Sequence, residues 1–175
     1  MNHIWHLRPH KTGYLLDIGQ TQFPCLVGKS GLVAAGEKKE GDGATPKGCW
    51  PVRCLYYRPD RIARYQLPAR LPLSVRALNP QDGWCDDAGK GLYNYPVRLP
   101  FSGSHEKLWR TDGLYNLILP LGYNDAPPAP NRGSAIFLHC ADKDSRATKG
   151  CLALTQTDLL AAIQQIHTPL YINIC

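Results

Sequence analysis

Apolar residues along this chain come in short runs broken by turn chemistry, and only one stretch carries a helical period. Residues 4–7, 14–18 and 23–27 read as successive strands, separated by turn-forming residues at 9–13 and 19–21, which predicts a β-meander at the start. In GLVAAGEKKEGDGATPKGCWPV, Gly36, Gly41, Gly43 and Gly48 interrupt a charged segment ahead of an aromatic strand that begins at Cys49. From 58 to 110 the pattern loosens under Pro59, Pro68, Pro72, Pro80, Pro96 and Pro100, and an elaborated loop region is expected. Leu117, Ile118 and Leu119 form a strand heading for the centre, and APPAPNRG is a surface loop.

Ala135, Ile136, Phe137 and Leu138 make a further apolar run that ends at His139, and Cys151 opens the next, which continues to Leu154. Both read as buried strands, and a hairpin-like arrangement brings His139 and Cys151 to the same end of a sheet. TQTDLLAAIQQI is the clear helix, with Thr155 as N-cap, Asp158 in a capping-box relation, and Leu159, Leu160, Ile163 and Ile166 on one face. Residues 170–174 close the chain as a strand.

With 175 residues, 15 prolines and 16 glycines, the chain suits one sheet-rich domain spanning 1–175 and excludes an all-helical reading. A net charge of +6 favours an anionic partner such as nucleic acid, a membrane surface or an acidic wall polymer, but the basic residues are scattered and a solvated basic surface accounts for them. No nucleic-acid partner is expected. No apolar segment approaches the ~18 residues of a membrane span, and residues 1–16 lack the apolar centre of an export signal. The seven cysteines are an odd number, so internal pairing leaves at least one thiol free.

A thiol attacks only as thiolate, and a base at hydrogen-bonding range supplies that form. His139 is the candidate base for Cys151, Lys149 and Arg146 are nearby cations, and Gly150 lets backbone N–H groups approach a reacting carbonyl as an oxyanion hole. Competing constellations fail. Adjacent strand residues His139 and Cys140 point to opposite faces and do not converge on zinc with Cys151, no GxSxG elbow exists, and residues 41–48 fit neither phosphate-binding glycine pattern. That glycine loop reads as a structural turn stiffened by Thr45 and Pro46. No metal and no cofactor are expected. Cys49 and Cys54, five apart in an apparent strand, face opposite ways and do not bridge. In DGWCDDAGKGLYNYPVRLPF, Trp84, Tyr93, Asn94 and Arg98 suit either a polar ligand or a loop packed down by its own aromatics.

Thr148, Lys149, Gly150 and Cys151, following a histidine, match three positions of the [ST]HGC signature of the YkuD-type L,D-transpeptidases of bacterial peptidoglycan synthesis, which the chain resembles. KKEGDGATPKG, GWCDD, YNYPVRLPF and LGYND extend the resemblance over nearly the whole chain. It implies a mainly β fold, a β-sandwich or open barrel with one or two helices and the 80–110 region over the site. It further implies Cys151 as nucleophile, His139 as base and acid, and backbone amides at Gly150 and Cys151 as oxyanion donors. Donor and acceptor peptidoglycan stem peptides would be the partners, a periplasmic location would follow from that substrate, and carbapenems would acylate Cys151. Thr148, Lys149, Arg146, Trp84, Tyr93, Asn94 and Arg98 are the candidate substrate contacts. Lys149 replaces the family's usual histidine, Ala153 replaces its usual arginine or asparagine, and the loop from His139 to Cys151 is short. These departures leave the nucleophile and base intact and bear on the acceptor, so that a 3,3 crosslink, a rarer linkage and hydrolysis by an L,D-carboxypeptidase are the readings to separate. A non-catalytic wall-binding module, using the basic surface and aromatic loop rather than the thiol, is a third class.

Overall fold

The computed structural model describes residues 3–142 and 144–175. Lys143, in the polar loop between His139 and Cys151, lies outside them. One five-stranded sheet holds β1 (His3–His10), β2 (Gly13–Ile18), β3 (Thr21–Cys25), β6 (Gly48–Pro51) and β15 (Leu170–Ile174), in the order β3-β2-β1-β15-β6. Its first three strands are the expected meander. Trp5 and Leu7 of β1, and Leu170, Ile172 and Ile174 of β15, are buried at every second position, so one face of this sheet makes the core.

The second five-stranded sheet contains β7 (Cys54–Tyr57), β8 (Ser74–Ala77), β12 (Leu117–Pro120), β13 (Phe137–Ala141) and β14 (Leu152–Thr155), ordered β14-β13-β12-β7-β8. Here β12 is buried at every position and β13 nearly so. Leu117, Leu119, Leu138, Cys140, Leu152 and Leu154 join Trp5, Leu7, Leu16 and Ile172 in the main core. On the opposite face Tyr56, Ile118, Phe137 and Cys151 pack with Trp84, Leu108 and Tyr115 in a second cluster. Burial on two faces is why these strands read as continuous apolar runs.

The single α-helix among the described residues, α1 (Gln156–Ile163), starts at Thr155, whose hydroxyl accepts from Asp158 N at 3.1 Å. Leu159, Ala162 and Ile163 are its buried residues. The fold is mainly β, with separate sheets rather than a closed barrel.

Three expectations change. β13 and β14 are parallel, not a hairpin, with Leu138 opposite Leu152 and His139 opposite Ala153. The returning segment pairs Thr148 with the 27–29 stretch, which lets the chain cross without an intervening helix. Within the 58–110 region, β9 (Asp82–Cys85), β10 (Pro96–Arg98) and β11 (His105–Lys107) form a small antiparallel sheet over the second cluster. Cys49 and Cys54 sit in β6 and β7, on different sheets, and all seven cysteines are free thiols. The remaining strands, β4 (Leu32–Val33) and β5 (Thr45–Pro46), pair in parallel and hold the glycine-rich segment against the start of β14.

Candidate active site

Cys151 immediately precedes β14, and His139 lies mid-way along β13, so the parallel register puts both on the face away from the main core. The Cys151 thiol donates to Ala135 O at 3.2 Å and accepts from Phe137 N–H at 3.4 Å. It makes no hydrogen bond to the imidazole in this state. Ala135 has φ +51, a left-handed backbone that a non-glycine residue holds only under local constraint. Asn94 supplies the constraint: its Oδ1 accepts from Ala135 N at 2.9 Å.

His139 Nδ1 lies 2.8 Å from Cys140 O. A carbonyl only accepts, so Nδ1 carries the proton and Nε2 is left with a free lone pair, the form a general base needs. Tyr115 meets the imidazole edge-on with ring centroids 5.2 Å apart, and its hydroxyl donates to Glu106 Oε1 at 3.3 Å.

Burial dominates the electrostatics. It pushes the Cys151 thiol up to about 12, offset in part by the Phe137 N–H, and holds His139 down to about 4, offset in part by the Cys140 carbonyl. The resting pair is therefore neutral thiol and neutral imidazole.

The turn into β14 is fixed from two sides. Thr148 Oγ1 donates to Cys151 O at 2.7 Å and accepts from Gly150 N–H at 3.1 Å. From the glycine-rich segment, Thr45 Oγ1 donates to the same Cys151 carbonyl at 3.3 Å and accepts from Gly28 N–H at 2.8 Å. Gly150 has φ +135, and a Cβ there would sit 3.0 Å from Ala44 O, so glycine is required by both backbone and space. The expected structural turn is thus tied directly to Cys151 through Thr45, which the sequence reading did not single out as a site residue.

A cavity of about 270 Å³ has Phe137, Trp84, Cys54 and Tyr56 among its walls, and reaches the pair only through Phe137, whose N–H donates to the Cys151 thiol. A second, of about 300 Å³, shares Tyr56, Arg76 and Pro96 with the first. Among the described residues, no three His, Cys, Asp or Glu side chains converge as metal ligands.

The family model for the L,D-transpeptidase catalytic domain, YkuD, matches residues 4–172. The chain belongs to the L,D-transpeptidase family. A search of curated proteins finds no match. Membership makes this an L,D-transpeptidase-type enzyme of peptidoglycan metabolism, a family that acts on the cell wall. No helix among the described residues is long and apolar enough to cross a membrane.

The expected substrate contacts of this L,D-transpeptidase domain divide. Trp84 and Asn94 line the first cavity and Arg98 the second. The Asn94 amide is engaged internally: Oδ1 also accepts from Trp84 Nε1 at 3.0 Å, and Nδ2 donates to Tyr123 O at 3.1 Å and Asn124 O at 2.6 Å. It has no bond left for a ligand. Tyr93 is buried and its hydroxyl donates to Glu40 at 2.5 Å, so it too is engaged. Arg98 pairs with Asp82. Arg146 and Lys149 are exposed and line neither cavity, while Thr148 is spent on the turn.

Proposed function

We infer that this chain is a cysteine L,D-transpeptidase that transfers a peptidoglycan acyl group through a thioester on Cys151. The observation that carries the reading is the register of β13 and β14, which sets His139 and Cys151 on one face, with Nε2 as the imidazole's free base position.

Rotation about the Cys151 Cα–Cβ bond exchanges the Ala135 carbonyl for Nε2 as the partner of the thiol proton. Nε2 takes that proton as sulfur attacks the carbonyl of the third stem residue. The N–H groups of Gly150 and Cys151 face the developing oxyanion, Gly150 exchanging its Thr148 bond for it. As the C–N bond to D-alanine breaks, the imidazolium delivers its proton to the departing amine. A thioester remains. An acceptor amine then attacks, loses a proton to Nε2, and displaces sulfur, which recovers that proton as thiol. The products are a crosslinked stem and free D-alanine, and water in the amine's place gives a trimmed tripeptide.

Trp84, from the cavity wall, is the contact retained for the donor peptide, and Arg146 and Lys149, exposed beside the Cys151 turn, are retained for acceptor carboxylates. The test is incubation of wild type and Cys151→Ala with a disaccharide tetrapeptide, followed by mass spectrometry. Wild type is expected to release D-alanine through an acyl adduct on Cys151. Turnover by the alanine variant would overturn the mechanism.

A further inference from the structure

The Cys151 thiol rests between two backbone groups, the Ala135 carbonyl and the Phe137 N–H, and the two are secured in different ways. Phe137 opens β13 and pairs in register with Pro120, so the sheet holds it. Leu121 N–H donates to Ile136 O at 2.9 Å and fixes the residue before it. Ser134 and Ala135 precede the strand, and Ala135 has the left-handed φ of +51 that no sheet pairing imposes. Side chains must hold this half of the cradle.

Two of them do so. Asn94 Oδ1 accepts the Ala135 N–H at 2.9 Å, and Glu40 Oε2 accepts the Ser134 hydroxyl at 2.7 Å. The same Glu40 oxygen accepts from Tyr93 OH at 2.5 Å, and Tyr93 is the chain neighbour of Asn94, so Glu40 also braces the turn that presents Asn94. Glu40 N–H donates to Asn131 O at 3.0 Å. Ser134 and Tyr93 are 7% and 3% exposed, so one carboxylate serves two buried hydroxyls through charge-assisted bonds. The loop that carries Glu40 is itself braced. Buried Lys38 donates to Asp42 Oδ1 at 2.6 Å and to Lys39 O at 2.8 Å, and Asp42 accepts the N–H groups of Lys39 and Ala44 at 2.8 and 2.9 Å. A Cβ on Gly133, which precedes Ser134, would sit 3.2 Å from Lys38 Cε. This loop therefore reaches Cys151 from two directions, through Thr45 to its carbonyl and through Glu40 to the acceptor of its thiol.

We propose that Glu40 is a positioning residue for the Cys151 thiol: by fixing Ser134 it sets the Ala135 carbonyl, and that carbonyl sets the place from which the thiol turns to His139. The proposal rests on the reading of Cys151 as nucleophile. Glu40 lines neither cavity and moves no proton, so it acts through Ser134 and Ala135 and not on the peptide. Without its carboxylate Ala135 relaxes from the left-handed region, the carbonyl turns away, and the thiol takes up rotamers that are out of line with Nε2.

The test follows D-alanine release from a disaccharide tetrapeptide, and separately the carbamidomethylation of Cys151 by iodoacetamide, read by peptide mass spectrometry because seven free thiols compete. Glu40→Ala is expected to lower kcat about 10- to 100-fold at unchanged KM and to slow alkylation of Cys151 in parallel. Glu40→Gln keeps an acceptor oxygen and is expected to restore most of both. Ser134→Ala breaks the same link from its buried end, stands in should Glu40→Ala unfold, and is expected to cost as much. Combining it with Glu40→Ala is expected to cost no more than either alone. Active wild type whose kcat is unmoved in Glu40→Ala and Ser134→Ala, or whose KM moves instead, would overturn the role of Glu40 alone. Equal loss in Glu40→Gln and Glu40→Ala would do the same, as would losses that add in the double variant. Because alkylation needs no turnover, the expected alkylation pattern alongside a wild type inert on the peptide would overturn acyl transfer alone.

Discussion

Cys151 holds its proton on the Ala135 carbonyl and His139 keeps Nε2 bare, so each partner waits in its neutral form. A solvated imidazole acting as base would lose activity as it titrates near its ordinary value of about 6.5. Burial instead holds His139 neutral down to about 4. The acidic limb of kcat/KM is therefore expected well below pH 6.5, with activity maintained at pH 5 while circular dichroism reports a folded chain. A limb at 6.5 would contradict a desolvated base. Asn94 is the second residue with a defined consequence. Asn94→Ala leaves Trp84 Nε1 and the Ala135 N–H without acceptors in a buried setting, so a loss of about 2–4 kcal/mol in urea unfolding is expected. That Cys151 and His139 come to one face of a sheet was legible from residue type and setting. Asn94 was legible as important but not in its role, because a sequence does not tell whether an amide faces a ligand or its own backbone.

At the scale of elements, the start of β14 is held by a long-range partner. Thr45, 106 positions away from Cys151, donates to its carbonyl and accepts from Gly28. Thr45→Val keeps the shape and removes both bonds, and a loss of about 1–3 kcal/mol with reduced alkylation of Cys151 by iodoacetamide is expected. Thr45→Ser restores both, and failure to do so would mean that packing, not the hydroxyl, fixes the turn. This coupling is invisible along the chain because it depends on the β4–β5 pair, each strand two residues long. The same limit explains the missed three-stranded sheet, whose strands are three or four residues long with β10 beginning on a proline. The parallel run of β13 beside β14 was hidden for a different reason. Strands buried on both faces show no alternation, and without alternation nothing in the sequence distinguishes a hairpin from a crossover. The meander and α1, with alternation and a cap to mark them, were read with their residues nearly in place.

For the whole molecule, the packed sheets bury an imidazole and three thiols, and this links stability to pH from both sides. On the acid side, the unfolded chain protonates His139 as pH falls through about 6.5, whereas the folded chain resists to about 4. The neutral imidazole's contribution is complete above 6.5 and is lost between there and 4, about 3 kcal/mol in all. Asp112, which Arg110 holds below the ordinary carboxylate range, acts at lower pH than this window. On the alkaline side, burial raises Cys25, Cys140 and Cys151 to about 12. The unfolded chain gives up these protons near 9 while the folded chain keeps them, so stability falls as pH rises from about 9. A plateau between about pH 6.5 and 9 follows, measurable as urea unfolding free energy across the range. His139→Gln is expected to flatten the slope between 6.5 and 4 and leave the alkaline slope intact, since it removes one titrating group and touches none of the thiols. An acid slope unchanged in that variant would mean that the unfolded chain does not out-compete the fold for a proton at His139, and with it would go the desolvated base on which the catalytic pH profile depends.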